Sequence, residues 1–254
     1  MPRSLLPREH GAYVQLGAPL LAALLAANPR VASILFAAAA VALCLTREPA
    51  MIALGLRGTK ARREDGWRAR RRLGLLLTLG ILFGGVAVFL GSNRVRMSVG
   101  GPAVLAGLLA VVMVRGEDKT LSGELLAAAA IPSVVLPLLM ASDMPMAIAL
   151  QTWLAWTAGF ACTTLGVKSV TAAKEEREEA RRRSLSILLA ITVAGLVGLP
   201  LGLTLGVVPG LPLIIAGWAL ALWRPSVANV RAIGWGLTGA SLATGACLVW
   251  ISRT

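Results

Sequence analysis

Apolar residues in this chain do not alternate with polar ones; they come in blocks long enough to cross a bilayer. A spanning helix needs about 20 mostly apolar residues. By that measure the blocks near 11–27, 31–46, 73–91, 97–114, 125–141, 146–167, 184–206, 210–223 and 232–251 predict nine helical spans. The stretch 184–223 is apolar throughout, long enough for two helices and a turn. Val208-Pro209-Gly210 offers the turn residues, because proline cannot continue a helix and glycine lets the backbone reverse. Pro132 and Pro137 predict a kinked or broken helix over 125–141, its freed backbone groups satisfied by neighbouring helices. Small residues at four-residue spacing, Gly198/Gly202/Gly206 and Gly236/Ala240, predict close helix packing.

Composition agrees: 57% of the residues are hydrophobic, 15% are charged and the mean hydropathy is +0.76, far from a water-facing domain. We read an integral membrane protein, all-α, a single membrane-embedded domain over 1–254. Twenty-five Lys and Arg face 12 Asp and Glu, and their position along the chain orients the bundle. With the N-terminus inside, 21 of the 25 basic residues fall on the inner side and four, Arg30, Arg94, Arg96 and Arg253, on the outer. Cytoplasmic loops are enriched in Lys and Arg, so this split predicts a multi-pass protein of the cell (inner) membrane, N-terminus inside and C-terminus outside. The excess charge needs no nucleic acid to explain it. Arg3 and Arg8 precede Gly11–Ala27 as in a signal peptide, but another span follows at once, so the segment is expected to stay on the chain. Cys44, Cys162 and Cys247 lie apart inside apolar runs and read as packing residues. Trp223, Trp235 and Trp250 sit near span ends, where such rings favour the interface; Trp153, Trp156 and Trp218 read as packing residues.

Two charged cytoplasmic loops, 47–72 and 168–183, are where chemistry is expected. The first, REPAMIALGLRGTKARREDGWRARRR, joins an apolar patch (Met51, Ile52, Leu54, Leu56) to a basic run. Pro49 suits a first helical turn, and the composition suits a short basic amphipathic helix on the membrane surface. The same arginines also serve orientation and attraction of anionic lipid without any site. The second, VKSVTAAKEEREEARRRS, is helix-compatible. It holds Glu178/Arg182 and Glu179/Arg183 at i,i+4 with the acid first, the favourable order. Glu175 and Glu179 form an ExxxE pair that would share a divalent cation on one helical face, against competition from the arginines. Between spans 4 and 5, Ser122 is placed to cap the next helix, and Glu124 would complement its dipole or act as an ionisable group at membrane depth. His10 in PREHGAY, the only histidine, reads as an interfacial anchor beside Tyr13 or as a residue at a cavity mouth. No Gly-rich phosphate loop, HExxH or Ser/His/Asp set is present.

PREHGAY running into LGAPLLAALL, REP closing span 2 ahead of a basic loop, and SGELLAA opening span 5 together resemble the YwiC-like family of bacterial membrane proteins. The arrangement also resembles the UbiA superfamily of intramembrane prenyltransferases. That likeness implies nine spans, an inside N-terminus and functional loops between spans 2–3 and 6–7, each with an Asp-rich motif that binds Mg and a prenyl diphosphate. The chain departs from it at those motifs: Asp65 is the single aspartate between Val31 and Ser92, and the 6–7 loop has none. The architecture carries over; the activity does not.

The expected function is a UbiA-like bundle with a cytoplasm-facing cavity binding an anionic or prenylated lipid. His10, Arg47, Glu48, Arg62, Arg63, Glu124, Lys168 and Lys174 are the candidate ligand-binding residues, since guanidinium groups suit phosphate. The alternatives are an intramembrane prenyltransferase using Mg at Glu175 and Glu179, a small transporter, or a membrane scaffold. The expected partners are membrane lipids, anionic or isoprenoid.

Overall fold

The computed structural model describes residues 10–174, 177–200, 202, 204–223, 225 and 230–253. Every element among them is helical: α1 His10–Ala26, α2 Val31–Leu45, α3 Arg47–Ala53, α4 Thr59–Leu90, α5 Asn93–Ser98, α6 Gly100–Val114, α7 Leu121–Ala130, α8 Val135–Ala141, α9 Met146–Lys174, α10 Glu178–Gly198, α11 Thr204–Val207, α12 Leu211–Trp223 and α13 Val230–Arg253. A 3₁₀ turn, Pro132–Val134, joins α7 to α8, and another, Val208–Gly210, joins α11 to α12. Five stretches are long and apolar enough to cross a membrane: Val31–Ala53, Thr59–Leu90, Asn93–Val114, Leu121–Ala141 and Arg231–Arg253. Tyr13–Ala26 and Val208–Trp223 are shorter apolar helices. Each expected apolar block carries a helix, so the chain is an all-helical membrane protein.

Contacts between loops divide the bundle into two poles. At one, Arg30 pairs with Asp143, Ser33 Oγ meets Ser142 Oγ at 2.7 Å and the Arg253 guanidinium donates to the Leu25 carbonyl at 2.6 Å. Val95 of α5 packs into the same core cluster as Ala141 at the end of α8, which brings the α4–α6 connection to this pole as well. At the other, Arg47 bonds Asp118 at 3.0 Å and Lys168 meets Glu124 at 3.0 Å. From α1 to α9 the connections therefore alternate between poles, as successive spans require.

Helix α9 is the hub, packing against α7, α8, α10, α11 and α12. Glycines on the segments facing it explain the closeness. A Cβ on Gly210 would sit 3.1 Å from the Ala155 carbonyl oxygen, and one on Gly217 2.5 Å from that of Cys162. Both pairings share one sequence offset, so α11 and α12 form a column running parallel to α9 with backbone against backbone. This corrects the turn expected at Val208-Pro209-Gly210. Proline fits the first turn of a helix, where no amide donor is needed, and Gly210 serves close approach. The chain reverses instead after α10 ends at Gly198, where Gly202 has φ +82°. Gly236 has no neighbour within 4 Å of an added Cβ, so that spacing marks no packed interface here.

The break at Pro132 is present. Its carbonyls find side-chain donors: Trp153 Nε1 donates to the Ala129 carbonyl at 2.9 Å and Ser133 Oγ to that of Ala130 at 2.7 Å. Trp156 is fully buried and Trp218 donates to Thr192 Oγ1 at 3.0 Å, whereas Trp223, Trp235 and Trp250 are exposed near helix ends.

Candidate functional site

The basic run after REP is not a separate surface helix. REP opens α3, which continues α2 with only Thr46 between them, and buries Glu48, Pro49, Met51 and Ile52. After a turn built on Gly55 and Gly58, both at positive φ, the run Lys60–Arg72 forms the first half of α4. At 1.5 Å per residue, the 32 residues of α4 reach about 48 Å, some 18 Å beyond a hydrocarbon core of about 30 Å. Ala61, Asp65 and Ala69 make one buried stripe, and Ile52 packs with Ala69. That explains why Met51 and Ile52 are covered by protein and do not face a membrane.

At this pole the described acids other than exposed Glu117 are matched by bases. Buried Glu48 accepts from Arg57. Asp118 accepts from Arg47. Glu124 pairs with Lys168, whose Nζ also donates to the Lys119 carbonyl at 3.0 Å. On α4, Lys60 reaches Glu64 at 4.0 Å and Arg68 reaches buried Asp65 at 3.8 Å. Among the described residues, no ion pair engages Arg62, Arg63, Arg70, Arg71 or Arg72. Five guanidinium groups within 11 residues thus have no internal ion pair among the described residues.

Of the expected site residues, Arg47, Glu48, Glu124 and Lys168 come to one pole, but as internal pairs. Arg62 and Arg63 are exposed at the same pole. His10 opens α1, whose far end meets Arg253, so its backbone begins at the basic pole. The side chains of His10 and Lys174 lie outside the described residues. Glu175 lies outside them altogether. The ExxxE pair falls partly on Glu175 and so outside the described residues; α9 is described to Lys174 and α10 from Glu178, with Arg177 at φ −88°, ψ 72°. Glu179 faces Arg183 at 3.8 Å, and Glu178 lies 3.5 Å from Arg182 and 3.2 Å from Arg181. The hydrogen bond from Arg181, with its charge and that of Arg182, holds the Glu178 carboxyl below its ordinary range. Among the described residues, no three His, Cys, Asp or Glu side chains converge as metal ligands.

Two residues were missed. Arg57 and Asp118 hold the REP motif in place, yet Asp118 is 71 residues from its partner, a distance at which sequence spacing carries no signal. The α7 cap is also corrected: Thr120, not Ser122, accepts the amide of Gly123 at 3.1 Å, and Ser122 meets the Thr120 hydroxyl. The described cleft lies at the opposite pole, small and apolar, lined by Ala22, Ala26, Met144, Ile148, Leu248 and Ser252 among others.

No curated protein and no solved structure matches the chain. A family model described as YwiC-like protein matches residues 6–140, a stretch that holds PREHGAY, REP and SGE and ends within α8. Since the match covers more than half of the 254 residues, the chain belongs to the YwiC-like protein family.

Proposed function

We propose that this protein is a nine-span protein of the cell membrane, N-terminus inside and in a UbiA-like arrangement, whose basic pole binds the phosphate headgroup of an anionic lipid. One observation carries the reading. Around α4 the buried acids Glu48 and Asp65 and the partly buried Asp118 are each taken by a specific base, while Arg70, Arg71 and Arg72 at the expected hydrocarbon edge, and Arg62 and Arg63 about 15 Å beyond it, have no acidic partner among the described residues. Guanidinium forks donate two parallel bonds to phosphate, and each basic residue near an anionic surface adds about 1 kcal/mol of attraction. Arg47, Glu48, Glu124 and Lys168 hold the pole together and so position the arginines instead of contacting the lipid. The alternation of loop contacts between poles and the 21-to-4 division of Lys and Arg support the orientation.

The test is native mass spectrometry of the full chain in mild detergent. Arg62→Ala combined with Arg63→Ala and Arg70→Ala lowers retention of phosphatidylglycerol, with phosphatidylcholine unaffected. Equal retention of phosphatidylglycerol by wild type and variant would sink the reading. Single cysteines placed at Thr59 and Thr120 label from the cytoplasmic side and at Ser92 and Ser142 from the opposite side; labelling of all four from one side refutes the orientation.

A further inference from the structure

The helices α4 and α6 follow one another in sequence, joined by α5, yet share no packed interface. Helix α4 packs on α2 and α3, and α6 on α7 and the Pro132–Val134 turn. Sequential elements are usually neighbours that pack, so a lateral gap between two such helices is a specific feature. Both are strongly apolar and almost uncovered: 11% of the most apolar window of α4 and 6% of that of α5–α6 is buried, against 56% for α7–α8.

The gap has two unlike ends. At the Arg30 pole α5 closes it. Val95 is buried in the core cluster, and the Arg96 guanidinium donates to the carbonyls of Val88 and Phe89 at 3.3 and 3.4 Å, tying α5 to the end of α4. At the basic pole it ends beside Arg70, Arg71 and Arg72 of α4 and beside exposed Arg115 at the end of α6. The partly buried Arg47–Asp118 pair bridges its two sides there. The 15 residues of α6 give walls of about 22 Å, deeper than one leaflet of a core about 30 Å thick.

We infer that this groove seats the apolar tail of a membrane lipid whose phosphate headgroup is held at its basic end. The inference rests on the headgroup reading above. Apolar walls, a closed far end and cations at the open end match an anionic amphiphile, and a neutral lipid leaves the cations unmatched.

The experiment uses the full chain, stripped of lipid in detergent and titrated with phosphatidylglycerol or phosphatidylcholine, with retention read by native mass spectrometry. Helix α6 turns Pro102, Leu105 and Leu109 toward the bundle. At 100° per residue, Ala106 and Leu108 lie on opposite flanks of that stripe, and one flank faces α4. Tryptophan at the groove flank weakens phosphatidylglycerol retention about tenfold, or ~1.4 kcal/mol of affinity; tryptophan at the other flank leaves it unchanged. Where Ala106→Trp or Leu108→Trp fails to fold, Ala106→Phe and Leu108→Phe make the same comparison. If neither flank matters while Arg62→Ala/Arg63→Ala/Arg70→Ala still lowers retention, the groove is overturned and the headgroup site stands. If the arginine variant also changes nothing, both fall. Equal retention of the two lipids by the wild type overturns the charge match on which the groove assignment depends.

Discussion

Replacing Gly217 by alanine tests the packing of the hub. The added Cβ would lie 2.5 Å from the Cys162 carbonyl oxygen, 2.7 Å from its carbon and 3.1 Å from the Thr163 nitrogen. Ordinary contact begins near 3.4 Å, and all three atoms are backbone, so no rotamer change relieves the overlap. The column of α11 and α12 must therefore move off α9 by roughly 1 Å. A gap of that size forfeits a quarter to a half of each dispersion contact along the interface, and overpacked cores lose about 1–3 kcal/mol. We expect Gly217→Ala to destabilise the protein by about 2 kcal/mol in reversible unfolding in mixed micelles. Gly107→Ala on α6, with nothing within 4 Å, is the control, expected to be neutral or to gain up to about 1 kcal/mol from helix propensity. Gly166→Ala meets the Gly217 carbonyl from the other side. Once the helices have separated, the second methyl finds its space made, so the double variant loses less than the sum of the singles. A Gly217→Ala protein within about 0.5 kcal/mol of wild type would refute the reasoning.

Lys168→Met leaves Glu124 half-buried without its partner and costs about 1–3 kcal/mol; adding Glu124→Gln recovers most of it in the same unfolding assay. Thr120→Ala removes the α7 cap at about 1 kcal/mol, whereas Ser122→Ala changes stability by only a few tenths. The Glu178 carboxyl is depressed by Arg181 and Arg182, so its small contribution is present above the ordinary carboxylate range and fades as pH falls through the lowered value. An NMR titration finds its midpoint below that of Glu178 in an Arg181→Ala/Arg182→Ala protein.

The apolar blocks made the helices legible, since a bilayer demands a fixed length of apolar residues. The alternation of poles followed from the same count. What the blocks did not reveal was where a helix continues through polar residues. Lys60–Arg72 is as helical as the apolar half of α4, because Arg and Lys are good helix formers and the Ala61/Asp65/Ala69 stripe gives that half its own packing face. Val208-Pro209-Gly210 misled for the reason that proline both ends helices and starts them; the choice is made by Ala155 across the interface. The REP and SGE motifs were visible, but their partners Asp118 and Lys168 come from distant segments.

Hydropathy also gave no rank of centrality, and in a bilayer the relation inverts. Lipid tails are as apolar as leucine, so apolar side chains gain nothing by facing inward, and helices associate through small and polar residues. The most apolar 18-residue window among the five long stretches lies in Thr59–Leu90, at mean hydropathy 2.5, and it is only 11% buried. Helix α9 carries Gln151, Thr152, Thr157, Thr163 and Ser169 among its 29 residues and falls outside those five, yet it is the element around which the bundle packs. Its Thr163 and Ser169 hydroxyls return to the carbonyls of Phe160 and Gly166, and its glycines admit α12. The same physics leaves α4 and α6 to the lipid. A groove between those two helices therefore opens on the membrane itself, and a ligand that enters it sideways from the bilayer needs no aqueous path to the basic pole.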